Sequence, residues 1–379
     1  MEEKIKIYCV LFDTMSLCPE ILSIAKAKKA NFFLQVGGCF TLHSIAGMLT
    51  GILPSDLEEH GPGHVLDRKK CFDKRTNTIC RSWKKKIILD VLLKNDWKIK
   101  YQNYKWMEGV FYYSPKIKSS TSHHTTTEKF KNLRGRKFLL TGKRSKIFQS
   151  NEMKTIKMFQ KEKINKNTFY FIRYEHFHEA TSFRQKPFLK KRMKTAKKIS
   201  LKLMNAWDLN EPNALFWFFC DHGDWLGVKT IKHPNSTAFL SWVIFKDNTK
   251  NFIKPKSKFI SNLDFTPTIM NKFDYDCQLK DSYSIEKEQD QNRIYFSEDA
   301  RHKIDPNNST TAIACKFFDW ENKKPRKLLD VSYHEKNNSF KSHISIFDKE
   351  MFVKEIRPEE NINKELKTAL INKFNWIKK

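Results

Sequence analysis

Residues 214–224 read ALFWFFCDHGD, the most apolar strand-like run of the chain followed at once by charged and ionisable side chains. A continuous apolar run of this length is typical of a parallel strand that is buried on both faces. Asp221 and His222 then lie at the carboxyl end of the strand, the edge at which open α/β sheets bind ligands. Because polar groups beside so apolar a run need partners, we interpret both residues as parts of a functional site.

Two further apolar runs end in polar residues in the same way. Residues 5–12 read IKIYCVLF, and residues 168–174 read TFYFIRY. The polar residues that come after the three runs are Asp13, then Glu175, His176 and His178, and finally Asp221 and His222. Parallel strands present their carboxyl ends at one edge of the sheet, so we expect these groups to share a site. A simpler alternative for Asp13 is that it only caps a helix.

Residues 31–51, NFFLQVGGCFTLHSIAGMLTG, predict a short strand, a glycine-rich turn and a helix. The strand covers residues 31–36, and Thr41 stands at the start of the helix. Free backbone N–H groups and the helix dipole at such a position suit a phosphate or sulfate group. Thr41 is therefore a candidate nucleophile, the alternative being an ordinary helix N-cap.

The rest of the chain alternates helix-like and strand-like segments. Helices are predicted at residues 18–30, 84–94, 154–161 and 190–207, and a strand at 239–245. Residues 264–268 (DFTPT) predict a helix start, with Thr266 as N-cap and Pro267 in the first turn. This alternation predicts an α/β fold, a three-layer sandwich in which helices cover both faces of a mostly parallel central sheet.

A polar, charged stretch at residues 277–292 predicts a boundary between two parts of the chain. After it come three β-like segments, at 293–297, 311–318 and 327–333, and a helix near 362–374. We therefore expect a catalytic core over residues 1–276. A small C-terminal α+β subdomain, residues 277–379, is expected to pack on that core.

The chain of 379 residues carries a net charge of +29, which raises the question of a nucleic-acid partner. Its 40% hydrophobic content excludes a mainly disordered chain. The basic runs are short and scattered, and no frame of a known nucleic-acid-binding motif surrounds them. The basic segment 190–202 fits an anionic surface, but a solvated helix face is favoured. We expect no nucleic-acid partner and interpret the charge mainly as compositional.

Targeting and redox signals in the sequence favour a reducing compartment. The eight cysteines contain no C-x-x-C pair and no zinc-finger spacing. The first residues, MEEKIKIYCVLFD, lack the basic and apolar regions of a secretory signal. No apolar run approaches the roughly 20 residues that a membrane-spanning helix needs. These features predict a cytoplasmic protein without a transmembrane segment.

Asp13, Thr41, Asp221 and His222 together make the strongest case for chemistry. Carboxylates and an imidazole are suitable ligands for a divalent cation. Coordination lowers the pKa of a threonine hydroxyl and makes it a usable nucleophile. The predicted cofactor is one of Ca, Mg, Mn or Zn.

These residues also carry a family resemblance. The run 41–54, TLHSIAGMLTGILP, resembles the nucleophile helix of the sulfatase branch of the alkaline phosphatase superfamily. The D-H-G-D at 221–224 is similar to that family's metal motif, residues 169–178 resemble its strand followed by D-x-H, and residues 263–268 match its D-x-x-P-T helix start. The matches come in family order over roughly residues 5–270.

The resemblance implies an alkaline phosphatase-like fold and a role for each matching residue. Thr41 is implied as nucleophile and metal ligand, and Asp13, Asp221 and His222 as the other ligands. His178 and His233 are implied to contact the transferred group or to protonate the leaving oxygen, with Lys232 a weaker substitute for His233. The implied partner is an anionic ester, a glycan or lipid head group.

Several positions depart from the sulfatase pattern. Thr41 replaces the Cys or Ser that becomes formylglycine, and Ile45 and Thr14 replace an Arg and an acid of the pattern. The threonine version resembles the lipoteichoic-acid synthase and phosphoethanolamine transferase branch, which favours phosphoryl over sulfuryl chemistry. The leading hypothesis is thus a metal-dependent hydrolase or transferase of phosphate or sulfate esters. The alternatives are a degenerate member that binds an anionic glycan or polymer, and an RNA-binding protein.

Overall fold

A computed structural model of the chain shows an α/β fold whose described residues form an eight-stranded sheet, a five-stranded sheet and a two-stranded hairpin. The structure describes residues 3–39, 41–57, 72–73, 78–79, 88–102, 121–123, 142–174, 186–223, 236–276, 279, 281–288, 290–299, 311–321, 324–374 and 376–377. Among them, no helix is both long enough and apolar enough to span a lipid bilayer.

The central sheet has eight strands in the order β10-β2-β9-β8-β1-β7-β5-β6. All neighbours are parallel except β9, which runs antiparallel to β2 and β8. A short hairpin, β3 Phe72–Asp73 with β4 Thr78–Ile79, stands apart from it. The strands of the central sheet are β1 Lys6–Phe12, β2 Asn31–Val36, β5 Lys98–Gln102, β6 Thr121–His123, β7 Thr168–Tyr174, β8 Ala214–Phe219, β9 Leu240–Asp247 and β10 Phe259–Ser261.

Helices cover both faces of this sheet, so the predicted three-layer architecture is confirmed. Alternate residues of β1 enter opposite cores: Ile7 and Cys9 face one, and Tyr8 and Val10 the other. This double burial explains why the central strands read as unbroken apolar runs. The first core is closed by α2 Thr41–Thr50, α3 Ile88–Lys94 and α7 Phe265–Lys272, and the second by α1 Pro19–Ala27, α4 Gly142–Lys161 and α5 Lys186–Ala206.

The second sheet is antiparallel and follows chain order. One face packs on the edge of the central sheet, where the Phe259 and Phe317 rings lie 4.8 Å apart. A helix near the end of the chain covers the opposite face. Its elements are β11 Tyr295–Asp299, β12 Thr311–Glu321, β13 Lys324–His334, β14 Ser339–Phe347, β15 Val353–Glu359 and α8 Lys364–Lys373, and a four-residue helix, α6 Ser236–Phe239, precedes β9 in the core. The boundary at residue 277 stays a prediction.

The helix that the DFTPT segment predicts is present, but its predicted cap is wrong. Helix α7 begins at Phe265, so Thr266 lies inside its first turn. A single 3-10 turn over residues 262–264 precedes the helix and is capped by Ser261 through a capping box. The Thr266 hydroxyl instead donates to the Met48 carbonyl of α2 and joins the two helices.

Candidate active site

The two acids of the site come directly after neighbouring strands. β1 lies between β7 and β8, and Leu11 is in register with Phe219. Asp13 and Asp221 therefore emerge side by side at the carboxyl edge of the sheet, and both are fully buried. The backbone N–H of Thr14 donates to Asp221 Oδ1 at 3.1 Å, which ties the two strand ends together.

Thr41 reaches the same edge because the turn before α2 passes directly over Asp221. A Cβ at Gly37 would collide with the Asp221 carbonyl oxygen, so only glycine fits there. The Ser44 hydroxyl donates to that same carbonyl and accepts from the Gly38 N–H at 2.9 Å. The glycine turn and Ser44 together hold the start of α2 against the strand end.

The four predicted ligand residues converge. Thr41 Oγ1 lies 3.4 Å from Asp13 Oδ1 and 3.3 Å from His222 Nε2. His222 Nε2 lies 3.5 Å from Asp221 Oδ2. One ligand atom each from Asp13, Asp221 and His222 fall within 4.8 Å of one another. The geometry thus brings these four residues together, while Glu175, His176 and His178, predicted at the same edge, lie outside the described residues.

The orientation of His222 leaves one ring nitrogen for a ligand. Nδ1 lies 2.8 Å from the Gly223 carbonyl oxygen, which can only accept a hydrogen bond, so Nδ1 carries the proton. The lone pair of Nε2 then faces Thr41 and the acids. A second nitrogen fixed by a backbone carbonyl is the usual arrangement of a metal-binding histidine.

The electrostatics of the site suit a bound cation. Burial raises the pKa of the Asp221 carboxyl, His222 lowers it, and Asp13 raises it again. Among the described residues, Asp221 Oδ2 makes no hydrogen bond of ordinary geometry although it is buried. Two carboxylates, a free imidazole nitrogen and a hydroxyl therefore form a donor set that fits a divalent cation such as Ca, Mg, Mn or Zn.

Thr14, which the sequence resemblance aligns with an acid of the sulfatase pattern, shapes the site. Its φ is +59°, an uncommon conformation for a β-branched residue. This turn points the Thr14 N–H at Asp221, while the Thr14 hydroxyl donates to Asp13 Oδ1 at 2.6 Å. A short neutral side chain thus bridges the two acids.

Sequence reasoning missed Arg173, which the structure places against Asp13. Its side chain is fully buried, and Nε donates to Asp13 Oδ2 at 2.9 Å while Nη2 donates to the same oxygen. The available signal was an arginine one residue before the end of an apolar strand, at the edge where the other polar groups meet. The other predicted site residues, His178 and His233, lie outside the described residues, as do His176 and Lys232.

Comparison of the amino-acid sequence with known proteins gives no relative. No protein-family model matches the chain. No curated protein matches it either.

Solved structures, in contrast, resemble the chain over most of its length. A protein in the alkaline phosphatase superfamily from Vibrio parahaemolyticus matches with a TM-score of 0.54 and 11% identity, covering 100% of this chain and 89% of the other. A 2-O GAG sulfatase matches with a TM-score of 0.56 and 11% identity, covering 89% and 84%. Ps i-CgsB in complex with k-i-k-neocarrahexaose matches with a TM-score of 0.53 and 10% identity, covering 100% and 94%. The resemblance in the motifs is thereby confirmed at the level of the fold: this chain has the fold of the alkaline phosphatase superfamily.

Proposed function

We propose that the chain is a metal-dependent hydrolase or transferase that cleaves a phosphate or sulfate ester with Thr41 as nucleophile. One observation carries the proposal: Asp13, Thr41, Asp221 and His222 come from three separate regions of the chain and meet in one buried cluster. Asp13, Asp221, His222 and the Thr41 hydroxyl would hold the cation. The fold is that of known sulfatases, which supports an ester substrate.

The residues of the cluster bind and orient the reacting group. The N–H groups in the first turn of a helix have no partner within the helix, so those of α2 suit the ester oxygens beside the Thr41 hydroxyl. A bound divalent cation supplies Lewis-acid chemistry, since it lowers the pKa of a hydroxyl and offsets charge on ester oxygens. Burial of the site keeps water away from these groups and strengthens their electrostatic interactions.

The transfer step forms one bond and breaks another. Thr41 Oγ1 attacks the phosphorus or sulfur, and the bond from that atom to the leaving oxygen breaks. The hydroxyl proton passes to water or to an ester oxygen of the substrate, because Asp13 Oδ1 and His222 Nε2, the acceptors beside it, would hold the cation. We propose His178 or His233 as the acid that protonates the leaving oxygen. Water or an acceptor alcohol then attacks the same atom and releases Thr41.

The substrate class we propose is an anionic ester on a glycan or a lipid head group, with phosphate favoured over sulfate. A threonine cannot become formylglycine, so its hydroxyl must act as the nucleophile itself. Two of the similar structures are a GAG sulfatase and a complex with a neocarrahexaose, which supports a glycan. A second candidate is a binding protein for an anionic polymer, which Thr14 in the place of an acid favours.

The test compares three aryl esters with each of the four cations. An aryl phosphate, an aryl phosphodiester and an aryl sulfate are incubated with Mn, Zn, Mg or Ca. Thr41→Ala is expected to lower kcat by at least about 100-fold, because the attacking oxygen is lost. Thr50→Ala is the matched control, since Thr50 is a buried threonine of the same helix whose hydroxyl donates to the Ala46 carbonyl.

The outcomes separate the candidates. Unchanged activity in Thr41→Ala would contradict the assignment of Thr41 as the nucleophile. No turnover of any ester with any cation favours the binding protein. An added alcohol that appears in the product identifies a transferase, and its absence from the product a hydrolase.

A further inference from the structure

Arg173 gives the two oxygens of the Asp13 carboxylate different hydrogen-bond partners. Its Nε and Nη2 both donate to Oδ2, the first of them at 2.9 Å. Oδ1 receives the hydroxyls of Thr14, at 2.6 Å, and Thr41, at 3.4 Å. One oxygen is thus occupied by the guanidinium, and the other faces Thr41 and His222.

Arg173 also changes the charge of the cluster. A guanidinium stays charged at every relevant pH, and this one is completely buried beside a completely buried carboxylate. Asp221 is bonded instead to the neutral Thr14 N–H. Among the described groups of the cluster, Arg173 is therefore the permanent positive charge, and it lies against Asp13 and not against Asp221.

We propose that Arg173 is a positioning residue that restricts Asp13 to a single ligand oxygen and sets the strength with which the site takes a divalent cation. The proposal rests on the metal site of the proposed function. Two hydrogen bonds to one oxygen prevent rotation of the carboxylate, and the fixed positive charge weakens the attraction of the site for a second positive charge. Removing the guanidinium takes a permanent positive charge away from the buried Asp13, and a bound cation would then offset both acids.

The experiment measures thermal unfolding against the concentration of Mn²⁺ or Ca²⁺ for the full chain. Arg173→Gln is expected to lower the Tm of the metal-free protein by about 5 °C or more. The rise in Tm at saturating cation is expected to be about twofold larger than in the unmodified protein, because the cation then compensates two acids. Arg173→Lys keeps the charge, and its cation-dependent rise should be close to that of the unmodified protein.

A matched control removes a second buried pair that lies outside the cluster. Arg293 donates to both oxygens of Asp264, at 2.7 and 2.8 Å. Arg293→Gln should also lower Tm, but its cation-dependent rise should equal that of the unmodified protein. The same cation-dependent rise in Tm in Arg173→Gln and Arg293→Gln would overturn the proposal.

A double variant keeps the test decisive if Arg173→Gln folds poorly. Asp13→Asn combined with Arg173→Gln removes the acid that the single variant leaves uncompensated. The double variant should therefore have a higher Tm without metal than Arg173→Gln alone. If the decreases in Tm caused by Asp13→Asn and by Arg173→Gln simply add in the double variant, Arg173 does not act through Asp13. Because these measurements need no turnover, a cation response without ester cleavage contradicts the proposed function and leaves the role of Arg173 intact. A Tm that no cation changes in any variant overturns that role.

Discussion

Asp13 and Arg173 differ in how far local sequence reveals them. Asp13 is the first polar residue after an apolar run, so the strand pattern singles it out. Arg173 lies inside a strand, and its partner is 160 positions away. Only the pairing of β1 with β7, in which Leu11 is in register with Arg173, brings the two charges together.

Asp330 is a buried acid outside the active site, and it supports a prediction about pH. It lies in β13 beside His343 of β14, whose Nδ1 is 3.1 Å from Asp330 Oδ1. Burial raises the pKa of Asp330, and the hydrogen bond to His343 lowers it in part. The folded state therefore holds this proton more tightly than the unfolded state. This contribution to stability is present at low pH and is lost as pH rises from about 3.8 through the folded pKa.

Asp330→Asn removes the decrease in stability that occurs when Asp330 loses its proton in the folded state. The free energy of unfolding of the variant, minus that of the unmodified protein, should rise with pH above about 3.8. Denaturant unfolding at a series of pH values measures it. Asp319→Asn, which removes an exposed acid of the same sheet that is paired with Lys327, is the control for the substitution itself. A difference for Asp330→Asn that does not change with pH would contradict the prediction.

At the scale of elements, helix α2 decides where Thr41, the proposed nucleophile, lies. Its start at Thr41 agrees with the sequence prediction, because a glycine turn followed by apolar helical periodicity is a local signal. The close approach of Gly37 to Asp221 is not a local signal, since the two residues meet only when β2, β9 and β8 form the sheet.

Gly37→Ala tests this placement. The added Cβ meets backbone at Asp221, which cannot move without displacing that proposed ligand, so the proposed activity should fall by at least about tenfold. Gly47→Ala is the control: its Cβ meets a methyl group of the Leu263 side chain at 2.8 Å, a flexible group that can shift. Steady-state kinetics of both variants measures the effect. Equal activity in the two would contradict the role of the turn.

Two strands of the second sheet escaped prediction for a physical reason. β14 reads SFKSHISIF and β15 reads VKEIRPE, with few apolar residues in an unbroken run. β15 is an edge strand with Pro358, and a proline in a run argues against a strand unless it lies at an edge. The pairing of β14 with β13 and of β15 with β14, not their own composition, places them in the sheet.

At the scale of the whole molecule, the contact between the two sheets holds the chain together. Phe317 of β12 is buried, with its ring 4.8 Å from Phe259 and 5.5 Å from Tyr295. Phe317→Ala should lower the free energy of unfolding by about 3–5 kcal/mol. Phe318→Ala, next along the strand and half-buried, should cost less than about 2 kcal/mol. Denaturant unfolding distinguishes them, and equal losses would contradict this account of the contact.

The net charge of +29 retains its compositional interpretation. Helix α5 contains no acidic residue in its 21 positions, and Lys194, Lys198 and Lys202 are exposed on it. A surface of this kind attracts anions over about a Debye length, which is a property of solution behaviour rather than of a site. The absence of a nucleic-acid partner and the cytoplasmic location stay predictions.

The sequence by itself determined the buried parallel sheet, its helical layers, and Asp13, Thr41, Asp221 and His222 as the candidate site residues. Those features depend on periodicity and on the polar residues at each strand end. Both signals come from residues that are close together in the sequence. The tertiary structure alone decided the strand order, the pairing of Arg173 with Asp13, the bridge at Thr14 and the close approach of Gly37. These contacts join residues up to about 200 positions apart, and strand order and register, which no local pattern encodes, determine which of them meet.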